Sequence, residues 1–467
     1  MKKGKRQRTK RPAEVLKWEH MPVVNAHAAG LDIGAEEIMA CAPQGDGTVA
    51  VRAFGTFTPD LEALAEWLVE CGVKSVAMES TGVYWIPVYA VLEARGLEVC
   101  LVNARHVKNV PGRKSDVQDC VWLQRLHAYG LLSASFRPAA DLRAVRTYVR
   151  HRASLIEYRA AHIQHMQKAL LQMNLQLTQV LSDITGVTGL AILRAIVAGQ
   201  HDPVELARLR HARCQSSEDD IAKALTGHYQ AEHLFTLRQA LALYDFYTSQ
   251  IQACDAQLEQ HYSAIKPVFD DDPEQPLPPL PPDRKHNSHS KNAPTFDVRE
   301  QLYRILGVDL TDIDGLDDSS AQEILAVIGT DMTAWPTVKH FCSWLGLAPH
   351  HDITGGKIIR RRTLPVHNRA ATVLRLAAQA VGKTDTALGG FYRRLKARLG
   401  APKAITATAH KLARIIYHVL KFHQAYQPQS LADYEARTHN RELKALQRRA
   451  DKLGLQLVPR SASPTAA

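Results

Sequence analysis

Apolar residues recur at intervals of seven in the middle of the chain, and this repeat constrains the fold more than any other feature. The series comprises Leu142, Val149, Ile156, Ile163, Leu170 and Leu177, and a second stripe three positions further on contains Val145, Met166, Met173 and Val180. Such spacing predicts one long helix with a coiled-coil seam. Arg152 and Arg159 interrupt the second stripe, so the seam is either imperfect or partly directed at a ligand.

A shorter series repeats the sevenfold spacing further along the chain. It consists of Leu237, Tyr244, Ile251 and Leu258. This second helix packs either antiparallel on the first or on another protomer. Because the apolar seam of the first helix would otherwise be exposed, we expect it to hold an oligomer together at least in part, with an intramolecular pair as the alternative.

Short strand-like runs precede the long helix. The runs AAGLDIG, EIMACA and TVAVRAFG predict three strands; helices over 59–71, 85–95 and 115–127 then alternate with strands at VKSVAMES and LEVCLVN. Three consecutive strands followed by alternating helix and strand predict an α/β fold, a mixed sheet flanked by helices in the order of a ribonuclease-H-like (RuvC-like) domain. The rest of the chain is predicted to be all-α.

Changes in composition divide the chain into segments. Residues 1–22 are Lys/Arg-rich and predict a disordered arm, while 270–294 hold seven prolines and predict a semi-rigid or disordered linker. The predicted segments are the arm (1–22), a RuvC-like catalytic domain (23–132), a coiled-coil helical domain (139–265), the linker (266–296), a helical C-terminal domain (297–425) and a charged tail (426–467).

Net charge favours a polyanionic partner. The chain carries 58 Lys and Arg against 47 Asp and Glu, a net charge of +11 with a pI near 9.3. Between residues 351 and 425 there are 15 Lys and Arg against Asp352 and Asp385, an excess larger than that of the whole chain. This block is the electrostatic footprint expected for nucleic acid.

Cysteine usage and hydropathy indicate the compartment. The seven cysteines are scattered singly without a CxxC pair, which argues against a disulfide framework and against a zinc ribbon. No apolar run is long enough for a membrane span, and no apolar stretch follows the basic N-terminus as it would in a signal peptide. We therefore expect a cytoplasmic protein with no membrane partner.

Four carboxylates occupy positions suited to a metal site. Asp32 lies inside an apolar strand, Glu79 ends another strand, and Asp116 and Asp119 are three residues apart on one predicted helix face. Carboxylate oxygens are the ligands that Mg²⁺ prefers, and bound Mg²⁺ polarises a phosphate for phosphodiester chemistry. Taken singly, each residue is equally well a cap, a turn residue or a solvated charge; their joint placement predicts a Mg²⁺ site.

A second constellation lies in the basic block. Thr354 precedes Gly355 and Gly356 in a predicted loop, where glycines permit close approach of a phosphate. An ordinary Gly-Gly turn on a basic surface is the alternative. The candidate nucleic-acid-binding residues are Lys114, Gly355, Gly356, Lys357, Arg360, Arg361, Arg362, Arg369, Arg393, Arg394, Lys403, His410 and Lys411.

Two stretches resemble the helix-hairpin-helix motif, whose tight turn offers backbone N–H groups to a phosphate. They are LTDIDGLDDSSAQEILAVIG, which begins at Leu310, and DITGVTGLAILRAIV, which begins at Asp183. Each is a single match of low specificity. Together with the basic block, they favour a nucleic-acid partner without specifying the reaction.

From about His27 to Leu420 the chain resembles the transposases of the insertion-sequence one-ten family, on its eleven-eleven branch. The matching stretches include GLDIG, AMESTGVYW, NARHVKNVPGRKSDVQDCVWLQRL, FCSWLGLAPHHDITGGK, NRAATVLRLAAQA and GGFYRRLKARLGAPKAITATAHKLARIIYHVLK. Members are DEDD recombinases with a RuvC-like domain and a C-terminal transposase domain.

The resemblance implies cleavage and rejoining of DNA to excise and insert a mobile element. It places a Mg²⁺-binding DEDD quartet on Asp32, Glu79, Asp116 and Asp119. It also implies a hydroxyl nucleophile in the C-terminal domain that becomes joined to DNA, an element-encoded bridge RNA, and a homo-oligomer, at least a dimer and by resemblance a tetramer on DNA. In a bacterial cell such a protein is nucleoid-associated.

One position departs from the family pattern. The family has Ser-Gly-Gly where this chain has Thr354-Gly355-Gly356, and the added methyl group restricts χ1 and crowds the attacking oxygen. Three hypotheses follow: an RNA-guided recombinase with Thr354 as nucleophile, a structure-specific nuclease of the Holliday-junction type that uses only the carboxylates, and a catalytically impaired relative that binds nucleic acid. If Thr354 attacks a phosphodiester, its loop and the carboxylate-bound Mg²⁺ must form one composite site.

Overall fold

The computed structural model describes residues 22–45, 48–80, 82–103, 116–267, 277–282, 291–366 and 368–458, with the backbone alone for Asp116, Val117 and Arg361. It divides into two compact units, residues 1–137 and 138–467. The predicted basic arm lies outside the described residues except for its last position, and Lys114 lies outside them as well. Within the described part of the chain, no helix is both long and apolar enough to cross a membrane.

The first unit contains a five-stranded mixed sheet, as predicted. Its strands are β1 (Ala28–Ile33), β2 (Glu37–Pro43), β3 (Val49–Gly55), β4 (Ser75–Glu79) and β5 (Glu98–Val102), in the order β3-β2-β1-β4-β5. The pairs β1/β2 and β2/β3 are antiparallel, whereas β1/β4 and β4/β5 are parallel. The central strands β1 and β4 are thus neighbours that run in the same direction.

Three helices flank this sheet: α1 (Thr58–Glu70), α2 (Trp85–Ala94) and α3 (Asp116–Ala128). Helix α1 buries Leu61, Leu64, Ala65 and Leu68 on one face, the face that its sequence pattern predicts. Helix α3 packs so closely on β1 that a Cβ at Gly30 would lie 2.3 Å from the backbone nitrogen of Gln124. Only glycine therefore allows α3 to cover the centre of the sheet.

Two long helices dominate the second unit: α4 (Ala140–Gln172) and α9 (Ala231–Ala264). Residues of α4 contact residues of α9 in reverse order, because Tyr148 faces His261 whereas Leu155 packs against Ile251. Four shorter helices follow α4: α5 (Leu177–Val180), α6 (Val187–Val197), α7 (Pro203–Ala207) and α8 (Glu218–Ala224). They bury Ile192, Leu206 and Ile221 against the C-terminal part of α4.

The seam of α4 is occupied within the same chain. Its heptad residues are buried or half-buried, as are Leu237, Tyr244, Ile251 and Leu258 on α9. Each fully buried leucine stabilises the fold by about 1.5–3 kcal/mol. The expectation that exposure of this seam holds an oligomer together is wrong, because α9 covers the seam; the intramolecular pair is confirmed.

The predicted single helix through Leu177 is also wrong in its length. Helix α4 ends at Gln172, and Asn174 takes a left-handed conformation with φ of 56°. Leu175 N–H then donates to the Leu170 carbonyl at 2.8 Å, as in the Schellman helix end, where asparagine substitutes for glycine. The apolar repeat continues beyond the break because Leu177 is still buried in α5.

The two arginines that interrupt the seam bind side chains of the protein. Arg152 pairs with Asp255 on α9, and Arg159 donates to Thr248 at 3.3 Å and to Asn292 at 2.7 Å. Both arginines are buried. Of the two interpretations, the imperfect seam is therefore the one supported by the contacts.

The described parts of the predicted linker make hydrogen bonds with neighbouring elements. Asp255 accepts from the backbone of Thr295 at 3.1 Å. Arg299 donates to the Pro281 carbonyl at 2.7 Å, and Tyr303 donates to the Pro278 carbonyl at 3.0 Å. Proline carbonyls are acceptors that no local secondary structure uses, so side chains can bind them.

The remainder is helical apart from one hairpin. Its helices are α10 (Val298–Leu306), α11 (Asp318–Ile328), α12 (Val338–Trp344), α13 (Arg369–Val381), α14 (Ala387–Leu399), α15 (Ala401–Phe422) and α16 (Leu431–Lys452). Strands β6 (Pro349–Thr354) and β7 (Lys357–Thr363) form the hairpin, so the predicted loop around Thr354 is corrected to a tight turn between two strands. The seven cysteines all lie in described residues and are free thiols, as predicted.

Candidate functional site

Two acidic residues lie at the carboxyl ends of the central parallel strands. In the register of β1 with β4, Gly30 pairs with Ala77 and Leu31 with Met78, so Asp32 and Glu79 follow next on adjacent strands. Side chains alternate between sheet faces, which puts Asp32 on the face of Gly30 that α3 covers. Glu79 follows the same alternation and is only 8% exposed. The structure thus brings these two predicted site residues to one edge of the sheet.

Helix α3 brings further candidates to this face. Asp119 lies on α3, which packs against β1, and its neighbour Cys120 is buried next to the Cys41 thiol of β2. The hydrogen bond with Cys41 lowers the pKa of Cys120, and the nearby Asp32 carboxylate opposes that shift. Asp32 therefore lies close to the turn of α3 that carries Asp119. Asp116 is the first residue of α3, and its side chain lies outside the described atoms.

The donor chemistry of this edge suits a hard divalent cation, because Asp32, Glu79 and Asp119 all offer carboxylate oxygens. Among the side chains that the structure describes, however, no group of three His, Cys, Asp or Glu comes together as a metal site. The predicted convergence of four carboxylates is consequently not assembled by the described side chains. It stays a prediction that depends on Asp116.

Thr354 lies at the tip of the β6–β7 hairpin. It is the last residue of β6 and pairs with Lys357, the first of β7, so Gly355 and Gly356 form the whole turn. Their φ angles of 56° and 74° are both positive, as a type I′ turn requires. A Cβ at either glycine would meet nothing within 4 Å. The turn and the Thr354 hydroxyl are therefore open to a large ligand.

The two faces of this hairpin differ in chemistry. Cross-strand pairs share a face, so Thr354 with Lys357, Asp352 with Arg360, and His350 with Arg362 form a polar face. Within it, Asp352 lies 3.5 Å from Arg362 and 3.4 Å from His350. The pair Ile353 with Ile358 lies on the opposite face, and by the same register so do positions 351 and 361, a histidine paired with an arginine. A register shift beside Ile353 leaves Ile359 unpaired, as in a β-bulge.

The cations of the hairpin are more available than most of the other predicted nucleic-acid contacts. Lys357, Arg360 and Arg362 are exposed, as is Lys403 on α15. By contrast, Arg369 pairs with Glu323 at 3.2 Å. Because Arg362 also lies 3.5 Å from Asp352, Lys357 and Arg360 are the described hairpin cations most open to a ligand.

Three further candidates on α14 and α15 make structural contacts. Arg393 donates to the Thr384 carbonyl at 2.6 Å, and Arg394 lies 3.7 Å from Glu442 of α16. The Lys411 ammonium lies 4.5 Å from the centre of the Phe391 ring, and its burial lowers its pKa. These side chains support the packing of α14 and α16 on α15, whether or not they also meet a nucleic acid.

His410 lies beside these residues on α15 and is half-buried. Burial lowers its pKa, and the neighbouring Arg414 charge adds to that shift. It is therefore mainly neutral at pH 7. As a nucleic-acid contact it would act through a ring nitrogen as a hydrogen-bonding group and not as a cation.

The two predicted helix-hairpin-helix turns share an aspartate motif. Asp309 accepts from the backbone N–H of Thr311 at 2.8 Å, and Asp183 accepts from that of Thr185 at 2.8 Å. Arg299 in turn pairs with Asp309 at 2.6 Å. In each turn, a backbone N–H that could have bound a phosphate thus donates to a carboxylate of the protein instead.

The exposed isoleucines of the hairpin do not follow from the basic-loop pattern, and the side of the hairpin that carries Ile353 and Ile358 is called its apolar face below. Ile353, Ile358 and Ile359 are 61%, 43% and 68% exposed, although they lie within a few residues of Thr354. A two-residue Gly-Gly turn flanked by β-branched residues is a hairpin pattern and would have predicted both strands. The pattern was hidden because the cations around it resemble a basic loop.

Two family models match the chain. Residues 29–175 match the transposase model DEDD_Tnp_IS110, and residues 309–393 match the Transposase IS116/IS110/IS902 family. The first match contains the sheet except for its first residue, Ala28, together with α3 and the whole of α4, and the second contains the hairpin. The chain thus carries an IS110-family transposase domain and a second transposase domain, both of which the sequence resemblance predicts.

A curated relative supports the same assignment over a shorter stretch. A protein described as a probable family 20 transposase, from Pseudomonas aeruginosa, is 32% identical over 126 residues. That alignment covers 25% of this chain and 36% of the relative. The chain therefore matches little more than a third of the length of that relative.

Proposed function

We propose that this protein is a DNA transposase that cleaves and rejoins DNA to move a genetic element, with Thr354 as its nucleophile. The two transposase domains support a DNA substrate. The observation that carries the residue assignment is the hairpin tip. There, a hydroxyl is held by a two-residue turn with open glycines and is paired across the turn with Lys357.

The proposed chemistry is a transfer between phosphodiester bonds. The Thr354 hydroxyl oxygen attacks phosphorus and forms a Thr–phosphate ester, the bond to one sugar oxygen breaks, and that oxygen takes up the proton that the hydroxyl releases. The positive charge of Lys357 on the same face of the hairpin stabilises the negative phosphate oxygens. Attack by a sugar hydroxyl on the new ester reverses the step and rejoins the DNA.

The first unit supplies the candidate ligands for a divalent metal. In a ribonuclease-H-like arrangement, Asp32, Glu79 and Asp119 would hold Mg²⁺ together with Asp116. Bound there, Mg²⁺ polarises a phosphate and stabilises a departing oxygen. Support for this part of the proposal comes from the two carboxylates on adjacent strand ends and from the packing of α3 on β1.

The proposal includes partners that the family resemblance implies. A bridge RNA would pair with donor and target DNA, and a dimer or tetramer would hold two duplexes. The net charge of +11 supports association with both nucleic acids. Because α9 covers the seam of α4, such an oligomer would have to use other surfaces of the chain.

A nuclease that uses only the carboxylates is the second candidate. The observation in its favour is the threonine at position 354, whose methyl group restricts the rotation of the hydroxyl. In this case water would attack the phosphate. The protein would then cut a branched DNA of the Holliday-junction type without becoming attached to it.

A denaturing gel distinguishes the two candidates. The protein is incubated with Mg²⁺ and labelled DNA that spans an element junction, with and without the cognate RNA, and the gel is examined for label that migrates with the protein. We expect such an adduct for the parent chain and none for Thr354→Ala. Strand breaks without an adduct in the parent chain would favour the nuclease, and binding without breaks would indicate an impaired relative.

A further inference from the structure

The apolar face of the β6–β7 hairpin is exposed where isolated proteins normally bury such residues. Ile353 and Ile358 pair across the strands, and the bulge leaves Ile359 next to them as the most exposed of the three, at 68%. Single exposed apolar residues are common on protein surfaces, but three β-branched residues that are all exposed on the two strands of one short hairpin form a patch. Such a patch indicates a binding surface.

Charge indicates what this patch meets. The hairpin carries four Lys and Arg within β7 against one acidic residue, Asp352 in β6. A protein partner that buries isoleucines would also have to neutralise this excess, whereas a nucleic acid supplies the phosphates in any case. A two-stranded antiparallel ribbon also has dimensions that the major groove of DNA admits. The charge complementarity therefore favours DNA.

We propose that Ile353, Ile358 and Ile359 insert among the bases of DNA beside the phosphate that Thr354 engages, and that they unstack a base step there. This inference rests on the proposed function. Apolar side chains that enter a base step cost a few kcal/mol of stacking, which contacts elsewhere offset. Here the polar face supplies those contacts, because Lys357, Arg360 and Arg362 lie on the other side of the same two strands.

In this proposal, the two faces of the hairpin bind different parts of the DNA. Cations on the polar face hold the backbone, and isoleucines on the apolar face fix where along the DNA the hairpin sits. Because Thr354 is next to Ile353 in β6, insertion of the isoleucines fixes the distance of the hydroxyl from the scissile phosphate. The isoleucines are positioning residues, since they act on the reaction only through the DNA.

Fluorescence of 2-aminopurine tests the insertion directly, because the emission of this base rises when it unstacks. The probes are a synthetic four-way DNA junction and a linear duplex, each with 2-aminopurine at one position in turn around the crossover sequence. They are titrated with the full chain in Ca²⁺ at several salt concentrations. The variants are Ile353→Ser with Ile359→Ser, Lys357→Gln with Arg360→Gln, and Leu376→Ser on α13 as an exposed apolar control.

We expect the parent chain and Leu376→Ser to raise the emission several-fold at one or two adjacent positions. The serine variant should lose most of this rise and bind about tenfold more weakly, with an unchanged salt dependence. The glutamine variant should instead lower the slope of log K against log salt by about one for each phosphate that it no longer neutralises. A serine variant that keeps the parental emission, or a parent chain that binds without any rise, would overturn the insertion.

The adduct assay keeps this inference separate from the proposed function. A rise in emission without an adduct would leave the isoleucine insertion standing and would remove Thr354 as the nucleophile. An adduct formed at the parental rate by the serine variant, without a rise in emission, would leave the proposed function standing and would show that the isoleucines position nothing. Thermal unfolding of each variant verifies that the exposed substitutions leave the fold intact.

Discussion

Arg152 of α4 and Asp255 of α9 form a buried ion pair between the two long helices, with Nε 2.5 Å from Oδ1 and Nη2 3.3 Å from Oδ2. Asp255 also accepts from the backbone of Thr295, so that the carboxylate joins three segments. A buried pair of this kind is costly to desolvate, and the loss of one partner leaves an uncompensated charge.

We expect Arg152→Ala to lower the free energy of unfolding of the second unit by about 3–5 kcal/mol. The exposed pair of Arg194 with Asp245, at 3.0 Å on the same helical assembly, is the matched control, and Arg194→Ala should cost at most about 1 kcal/mol. Denaturant unfolding monitored by circular dichroism measures both. An equal decrease in the free energy of unfolding for the two variants would show that burial of the Arg152–Asp255 pair does not affect stability.

Asp32→Asn should abolish DNA cleavage while it leaves DNA binding within about twofold, because the amide keeps the shape and removes the charge that a metal needs. Glu37→Gln on the neighbouring strand β2 is an exposed control and should cleave normally. Cleavage rates and binding are measured on the same DNA, with and without Mg²⁺. Parental cleavage by Asp32→Asn would exclude this carboxylate from the metal site.

Thr354→Ser should form the covalent adduct at least as fast as the parent chain, since it keeps the hydroxyl and loses the methyl group that restricts χ1. Thr354→Val keeps the branched shape without the hydroxyl and should form none. Time courses of adduct formation on denaturing gels compare the two. An adduct in the valine variant would place the nucleophile elsewhere.

Gly355→Asn should retain most of the activity, whereas Gly355→Val should lose both activity and stability of the hairpin. The reason is the φ of 56° at Gly355, which asparagine tolerates in a type I′ turn and a β-branched residue does not. Because no atom lies within 4 Å of a Cβ there, any loss reflects backbone strain and not a clash. Adduct formation and the unfolding temperature are the measurements, and indistinguishable variants would refute the turn geometry.

The first unit should become less stable as the pH falls below about 6.5, the ordinary pKa of histidine. His127 lies 3.0 Å from Ser75, and burial lowers its pKa while the charge of Glu98 opposes the shift. The unfolded chain therefore binds the proton first, so the stability contributed by neutral His127 is present above this pH and decreases below it. His127→Gln should show a weaker loss of stability between pH 7.5 and 5 than the exposed control His27→Gln. Equal losses of stability in the two variants would show that His127 does not cause the pH dependence.

The spacing of apolar residues predicted the strands and the buried helix faces, because in these elements burial repeats regularly along the sequence. The strands of the first unit, the buried face of α1 and the intramolecular alternative for the two heptad series all follow from spacing, because burial repeats with the period of the element. The end of α4 did not follow, because a single left-handed residue, Asn174, interrupts a helix whose apolar pattern continues. Arg152 could be recognised as an exception to the seam, but its partner Asp255 is 103 positions away.

The candidate site was predictable in chemistry more than in geometry. Asp32 and Glu79 are recognisable from the sequence because a carboxylate in an apolar strand is costly to bury without a cation or hydrogen bonds. The parallel register then places the two residues side by side. Thr354 was singled out by its glycines. What the sequence pattern left open was which face each hairpin side chain occupies, because the bulge at Ile359 changes the alternation by one residue.

That bulge also determines which length changes the hairpin can tolerate. Removing Ile359 would leave Arg360 and Arg362 on the face of Lys357, because the bulge takes up this one residue. If Ile359 were instead paired within the ladder, every residue from Arg360 to Thr363 would move to the opposite face relative to Lys357. The arginines of the polar face would leave the face of Thr354, although no side chain had been substituted. Among homologous chains we therefore expect the loss of one residue at the bulge to be tolerated, and other single insertions or deletions in β7 to be counterselected.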